Sequence, residues 1–386
     1  SIRERYTRPR RPPRRSARSP PGRAPGGAAA QKAGDTHTYM RLTRSSLLAA
    51  AAASVAPSLA PGETAAAPVA SSSSISLPLE RMGGGVLTTG AFIDGERFRL
   101  IVDTGSPYLV VPLEEKCATQ SPRLSYYGCA SPGRFRAAGF PPTSEQYGAL
   151  PGRVRWLKGG VRFGDAQPER EYAAVFGAAD RAVMSQSGGA LLGLIRQVST
   201  QPGSTIPRED LRPTALAQLG VSSFSLDAPR RRLTLSSEPL LGEKEDALPL
   251  VDPRPFGDGV EHVCIRVEGD AIAVNGATRV ARRPVLCVLD SGLSGCVLSQ
   301  SLADELSLGG GPLESLEVAV RTESGRRVVL GSSRRQSSLF YAQQIPLNWF
   351  SDRSSGPHVV ALGQCVLQGG ALTVDGATRR ATWAPA

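Results

Sequence analysis

Leu100-Ile101-Val102-Asp103-Thr104-Gly105-Ser106 and Val285-Leu286-Cys287-Val288-Leu289-Asp290-Ser291-Gly292 are the two stretches on which the reading of this chain turns. In each, an apolar run delivers an Asp into a hydroxyl residue and a glycine. One Asp-Thr-Gly or Asp-Ser-Gly says little, because Asp and Gly are favoured in ordinary turns. Two in the same setting say more. Two carboxylates, each carried by a buried strand into a glycine turn, can be brought together as a pair.

The surroundings of the two stretches also repeat. Ala91-Phe92-Ile93, Asp94-Gly95 and Phe98 to Val102 read as a hairpin turning at Asp-Gly, whose second strand runs into Asp103. Ala271-Ile272-Ala273-Val274, Asn275-Gly276, a basic stretch and Val285 to Leu289 repeat the scheme into Asp290. Leu191-Leu192-Gly193 follows the first Asp, and Ala361-Leu362-Gly363 follows the second. From Gly84 onward helical periodicity is scarce, and short apolar stretches alternate with Gly, Pro, Asn and Asp. A mainly β protein with a duplicated lobe is the economical reading. Leu302 to Leu306 is the best of few helix candidates.

Charge first suggests nucleic acid, with a net +11 over 386 residues. Its location removes the suggestion. Residues 1–44 hold twelve Lys/Arg against two Asp/Glu, so nearly all the excess lies there and the rest of the chain is almost neutral. The segment up to Lys32 is rich in Arg, Pro, Ser and Gly and reads as disordered. Met40-Arg41-Leu42-Thr43-Arg44, the Ala/Leu run from Leu47 to Ala56, and Ala65-Ala66-Ala67 then make a targeting leader, too short in its apolar part to span a bilayer. Residues 1–70 are therefore expected to be a disordered basic segment and leader. Two destinations are open: the secretory pathway from a signal at Met40, or a plastid lumen through a bipartite leader. A disordered tail that is never cleaved is the plain alternative. No later segment approaches a transmembrane length, so no stable membrane span is expected.

The six cysteines show no C-x-x-C pair and no metal-ligand spacing. Cys117 and Cys129 flank a polar loop and are candidates for a local disulfide in an oxidising compartment, while Cys287 reads as a buried small hydrophobe. His37, His262 and His358 are too few and scattered for a triad or a zinc site, and the last two are expected on the surface or in strands. Arg230-Arg231-Arg232 and Arg379-Arg380 are expected to face solvent. No metal or cofactor is implied.

Along residues 80–386 the chain resembles the pepsin-like aspartic proteases. The match is carried by Asp103-Thr104-Gly105-Ser106 followed by Leu109-Val110-Val111-Pro112, and by Tyr147-Gly148 where that family has its flap tyrosine. Further on, Gly189 to Leu194 resembles the first lobe's apolar-apolar-Gly segment; Phe224-Ser225-Leu226, Leu233-Thr234-Leu235, Val374-Asp375 and Ala381-Thr382-Trp383 resemble later strands. The resemblance implies a bilobal fold with two pseudo-two-fold related β lobes and the active-site cleft between them. The N-terminal lobe would be residues 71–240 with Asp103, the C-terminal lobe residues 241–386 with Asp290.

It also implies an aspartic endopeptidase, in which a water activated between the two aspartates attacks a peptide bond. Two close carboxylates share one proton, so one member serves as base and the other as acid. Gly105 and Gly292 would let backbone N–H groups approach the carboxylates. Thr104 and Ser291 would lock the two loops across the cleft, Ser106 would hydrogen-bond Asp103, and Tyr147 with Gly148 would close over bound peptide. The expected partner is a peptide or unfolded protein, with no nucleic acid, and the chain is expected to act as a monomer.

Several positions depart from that family. Leu293 stands where a Thr or Ser usually bonds the second Asp, leaving Ser294 to compensate. Val110 stands where many members have a Trp, Ala149-Leu150-Pro151-Gly152 alters the flap, and Gln364 replaces an acidic residue. These point to a divergent branch, and the leader suggests one from a photosynthetic lineage. They also keep a second reading open: a catalytically inactive descendant that binds peptide or protein in the cleft, or inhibits another enzyme.

Overall fold

The computed structural model describes residues 74–386 apart from 83–84, 114–126, 132, 146–151, 165–170, 180–188, 200–210, 257–258, 310–312, 339, 341 and 346–355. The described residues belong to one compact unit, Ala67–Ala386. They are mainly β, arranged in four sheets, with short helical segments.

The repeat seen in the sequence has a topological cause. The strand Ala190–Gly193 lies between Glu96–Asp103, to which it runs parallel, and Leu109–Pro112, to which it is antiparallel. In the second half His358–Leu362 lies between Val285–Leu289, parallel, and Cys296–Ser299, antiparallel. Each apolar-apolar-Gly segment is thus wedged between the strand that leads to an Asp and the strand that leaves it. In the first set Asp103 is in register with Gly193; in the second, Leu289, just before Asp290, is in register with Leu362.

These strands are continuous apolar runs because both their faces are buried. Leu100, Val102 and Leu192 join the main core, while Ile101 and Leu191 join a second cluster with Tyr108, Val110 and Trp156. In the other half Val285, Cys287 and Leu289 face the main core, and Leu286 and Val288 face a third cluster with Val359 and Ala361. Successive side chains of a strand point to opposite faces, so two-sided burial demands an unbroken run. At about 1.5–3 kcal/mol for each large aliphatic side chain buried, such strands are the stiffest supports the fold can offer the loops at their ends.

A six-stranded sheet joins the first and last strands of the described residues. Its order is Ser74–Pro78, Arg232–Ser236, Ser223–Asp227, Gly370–Asp375, Arg380–Pro385, Leu248–Pro249. The first of these strands precedes Gly84, where the β pattern becomes legible in the sequence. Ile75 and Leu77 point inward and Ser74, Ser76 and Pro78 outward, an alternation masked by the serine-rich run in which it sits.

The hairpin at Asp94-Gly95 forms as expected, both residues having positive φ (47° and 82°). The second hairpin corrects the expected repeat. Ala271–Val274 turns at Asn275-Gly276 into Ala277–Val280 within a four-stranded sheet, whereas Val285–Leu289 pairs with Cys264–Arg266 in a five-stranded one. Pro284, which has no N–H, stands in the stretch between them and separates the two strands. The expected helix is present as Gln300–Glu305, with Leu302 buried.

Cys287 is fully buried, and burial pushes its thiol up to about 12. Both described histidines are buried: His358 begins a strand, as one of the two expected settings has it, and contacts Glu305 at 2.9 Å, whereas His262 is neither on the surface nor in a strand. Arg230, Arg231 and Arg232 are exposed as expected. Arg379 and Arg380 are not free on the surface; they are half-buried and paired with Asp252 at 3.6 Å and Glu323 at 2.9 Å.

Candidate active site

Asp103 ends the strand Glu96–Asp103, and Asp290 directly follows Val285–Leu289. Backbone bonds to the wedged strands hold both in place: Leu194 N–H donates to the Asp103 carbonyl at 2.8 Å, and Asp290 N–H donates to the Leu362 carbonyl at 3.0 Å. Beyond each Asp the chain turns, and the N–H of the glycine two residues on donates back to the carboxylate. Gly105 N–H reaches Asp103 Oδ1 at 2.8 Å, and Gly292 N–H reaches Asp290 Oδ1 at 2.9 Å.

The residues between interlock. Thr104 N–H donates to Ser291 Oγ at 3.0 Å, and Ser291 N–H donates to Thr104 Oγ1 at 2.8 Å. Each hydroxyl then donates onward across the junction, Thr104 to the Leu289 carbonyl and Ser291 to the Val102 carbonyl, both at 2.7 Å. Both side chains are completely buried, so the four bonds form where an unpaired polar group is most costly.

The lock sets each glycine against the opposite carboxylate. A Cβ on Gly292 would lie 2.5 Å from Asp103 Oδ1, and one on Gly105 would lie 2.5 Å from Asp290 Cγ. No side chain fits at either position. The two carboxyl groups are close enough to shift each other's proton affinity, and they are only 7% and 4% exposed.

Burial raises Asp103 above the usual carboxylate range, opposed by the Gly105 N–H, the Ser106 hydroxyl, the Asp290 side chain and the positive potential of His262. Burial also raises Asp290, and the charge of Asp103 together with the hydrogen bond to it raises Asp290 further. The N–H groups of Gly292 and Leu293 pull it back only in part. Burial and mutual repulsion therefore oppose ionisation of both groups at once, and the pair holds one proton between them, with Asp290 raised the more strongly. An ionised oxygen and an acid proton a hydrogen bond apart form an acid–base pair able to take a proton from water while donating one to a carbonyl.

The supporting residues differ from expectation in two places. Ser106 is buried and near enough to favour ionised Asp103, yet its hydroxyl does not close a hydrogen bond to it. Ser294 makes no side-chain bond to Asp290; its carbonyl instead accepts the Cys365 N–H at 2.8 Å. The backbone N–H of Leu293 donates to the Asp290 carbonyl at 3.2 Å. Tyr147, Gly148 and Cys117 lie outside the described residues, as does therefore the pairing of Cys117 with Cys129.

Three contributors went unassigned from sequence. Gln364, fully buried, donates from Nε2 to the Ser291 carbonyl at 2.8 Å and so braces the lock from behind; its replacement of an acidic residue was the visible signal. Trp156 packs edge-on to Tyr108 at 5.0 Å in the cluster that includes Val110, and its Nε1 donates to Thr143 Oγ1 at 2.9 Å. His262, 4% exposed, sits two residues before Cys264–Arg266 and lines a cavity of about 30 Å³ with Arg196, Glu261 and Arg379, room for a water molecule. Burial raises the Glu261 carboxyl, and Arg196 at 3.7 Å opposes the rise.

Among the described residues no cluster of His, Cys, Asp and Glu is placed to hold a metal ion, and no helix is long and apolar enough to cross a membrane. Set beside known proteins, the chain matches no family model and no curated protein.

Proposed function

We propose that this protein is an aspartic endopeptidase of the pepsin-like kind, with two β lobes, residues 71–240 and 241–386, each contributing one catalytic carboxylate. The observation that carries the reading is the reciprocal Thr104–Ser291 lock, which sets Asp103 and Asp290 face to face in a buried site. A turn that merely reverses the chain has no need of a partner turn 187 residues away. A lock of four buried hydrogen bonds holds two carboxyl groups closer than they would stand unaided.

In the mechanism, ionised Asp103 takes a proton from a water between the carboxyls, and the water attacks the carbonyl carbon of a peptide bond. Asp290 donates its proton to the carbonyl oxygen as negative charge develops there. The resulting diol collapses when Asp103 passes its proton to the amide nitrogen: the C–N bond breaks, the amine leaves, and a diol hydroxyl returns its proton to Asp290, so the pair again holds one proton. Burial of both groups strengthens these transfers relative to water. The substrate is an extended peptide or an unfolded segment of a protein. Tyr147 and Gly148 would close over it, a Cys117–Cys129 bridge would brace the nearby loop, and the leader would send the chain to an extracytoplasmic or plastid-lumen compartment.

The test is cleavage of a denatured protein at mildly acidic pH, blocked by a statine-type inhibitor and abolished in both Asp103→Ala and Asp290→Ala. Full activity in either variant overturns the mechanism. Tight statine binding without turnover would establish the inactive, peptide-binding reading instead.

A further inference from the structure

Four cysteines among the described residues are free thiols, and two of them meet. Cys296 opens the strand that follows the Asp290 loop, and Cys365 lies in the short helix Gln364–Leu367. Their sulfurs are 3.4 Å apart in the main core. The backbone on either side is already joined: Gly363 N–H donates to Gly295, Gln364 N–H to Leu293 and Cys365 N–H to Ser294, at 2.9, 2.7 and 2.8 Å.

We infer that Cys296 and Cys365 form an intrachain disulfide by exchange with a small-molecule disulfide, fastening the segment that follows Asp290 to the helix behind it. A disulfide bond is about 2 Å long, so the sulfurs must close by little more than an ångström, a distance side-chain rotation supplies while the flanking backbone stays bonded. Cys365 is the entry point, because it is 7% exposed and Cys296 is fully buried. The hydrogen bond from Cys296 and nearby backbone N–H groups also favour the Cys365 thiolate.

The exchange balances in two steps. The Cys365 thiolate attacks one sulfur of the small disulfide and expels the other half as a thiolate. Cys296 then loses its proton and attacks Cys365 in the mixed disulfide, releasing the second half. Two protein thiols are oxidised, and one small disulfide is reduced to two thiols. The remaining two cysteines serve as internal controls. Cys264 and Cys287 lie on adjacent paired strands, but Cys287 faces the main core and Cys264 the third cluster, so their side chains are on opposite faces and do not meet.

The experiment incubates the full chain with glutathione disulfide, both folded and during refolding from the reduced, denatured state, then alkylates and maps the peptides. The expected product joins Cys296 to Cys365 and leaves Cys264 and Cys287 as thiols. It is accompanied by an upward shift in Tm that dithiothreitol reverses and that Cys296→Ser and Cys365→Ser both lack. A doubly substituted Cys296→Ala, Cys365→Val chain should fold and show no Tm response to oxidant. Recovery of Cys296 and Cys365 as free thiols in both arms, or their bridging to Cys264 or Cys287 instead, overturns the inference.

Discussion

Thr104 and Ser291 each donate a backbone N–H to the other's side-chain oxygen, at 3.0 and 2.8 Å, and the hydroxyl of each donates a hydrogen bond to a carbonyl of the opposite strand. Neither residue is exposed at all. Ser291→Ala removes the acceptor of Thr104 N–H and the donor to the Val102 carbonyl, orphaning two buried groups at about 1–3 kcal/mol each. A clear fall in the denaturant midpoint is expected, together with loss of most peptidase activity. Ser291→Thr keeps both bonds and should keep both properties. An alanine variant as stable as the parent in urea would mean that the lock contributes nothing.

Gly292 stands directly against the carboxylate of Asp103. The Cβ of Gly292→Ala would press on Asp103 Oδ1 at 2.5 Å, so the carboxylate or the loop must move. Displacement of a reacting group by about 1 Å can cost on the order of 100-fold in rate. The variant should lose at least that much kcat while remaining folded by circular dichroism. Activity within a few-fold of the parent would show that the carboxylates are not held at the spacing described.

Asp290 binds its proton more tightly in the fold than in the unfolded chain, because burial and Asp103 raise it well above its usual value of 3.8. Between that usual value and the raised one, the folded protein holds a proton that the unfolded chain has released. Stability is therefore full at low pH and falls as pH rises through the window, by about 1.4 kcal/mol for each unit of elevation. Asp290→Asn removes the titration. It should be more stable than the parent at neutral pH, with the advantage vanishing near pH 3. Urea unfolding across the pH range reads this directly, and parallel stability curves for the two proteins would contradict it.

His262 lowers Asp103 from within the same buried region. Its replacement by Gln removes that positive potential and lets the Asp103 carboxyl rise. Activity that needs ionised Asp103 then requires a higher pH, so the acid limb of the pH–rate profile should move toward neutrality while the alkaline limb stays. The profile of His262→Gln with a single peptide substrate decides it. An unmoved acid limb would separate His262 from the pair.

The relation between chain and fold explains what was legible. The two Asp motifs were readable because each terminates a strand buried on both faces, and two-sided burial writes itself as an unbroken apolar run. Leu191-Leu192-Gly193 and Ala361-Leu362-Gly363 were readable for the same reason, each being the wedge of its set. Ser74–Pro78 was overlooked although Ile75 and Leu77 alternate with polar neighbours, since composition there outweighed periodicity. The partner of Val285–Leu289 was misjudged because pairing in a sheet is a long-range choice and local turn chemistry at Asn275-Gly276 settles only its own hairpin. His262 and the meeting of Cys296 with Cys365 had no local signal, for both depend on residues brought together from distant strands.

Leu293 is where the two halves of the site differ most in chemistry. A hydroxyl on this residue would add a donor to the ionised form of Asp290, whose carboxylate now receives the Gly292 N–H at 2.9 Å. Leu293→Thr should therefore lower the Asp290 carboxyl, since a hydrogen bond to the charged form favours that form. Loss of the acid proton then occurs at a lower pH, and the alkaline limb of the pH–rate profile moves toward acid while the acid limb, governed by Asp103, holds its place. Leu293 packs half-buried on the third cluster, so some stability is lost as well, and Leu293→Ala controls for that loss without supplying a hydroxyl. If Thr and Ala shift the limb equally, the effect is one of packing and the missing hydroxyl is not what sets the proton affinity of Asp290. If Thr alone moves it, this one side chain sets the pH at which the pair gives up its proton.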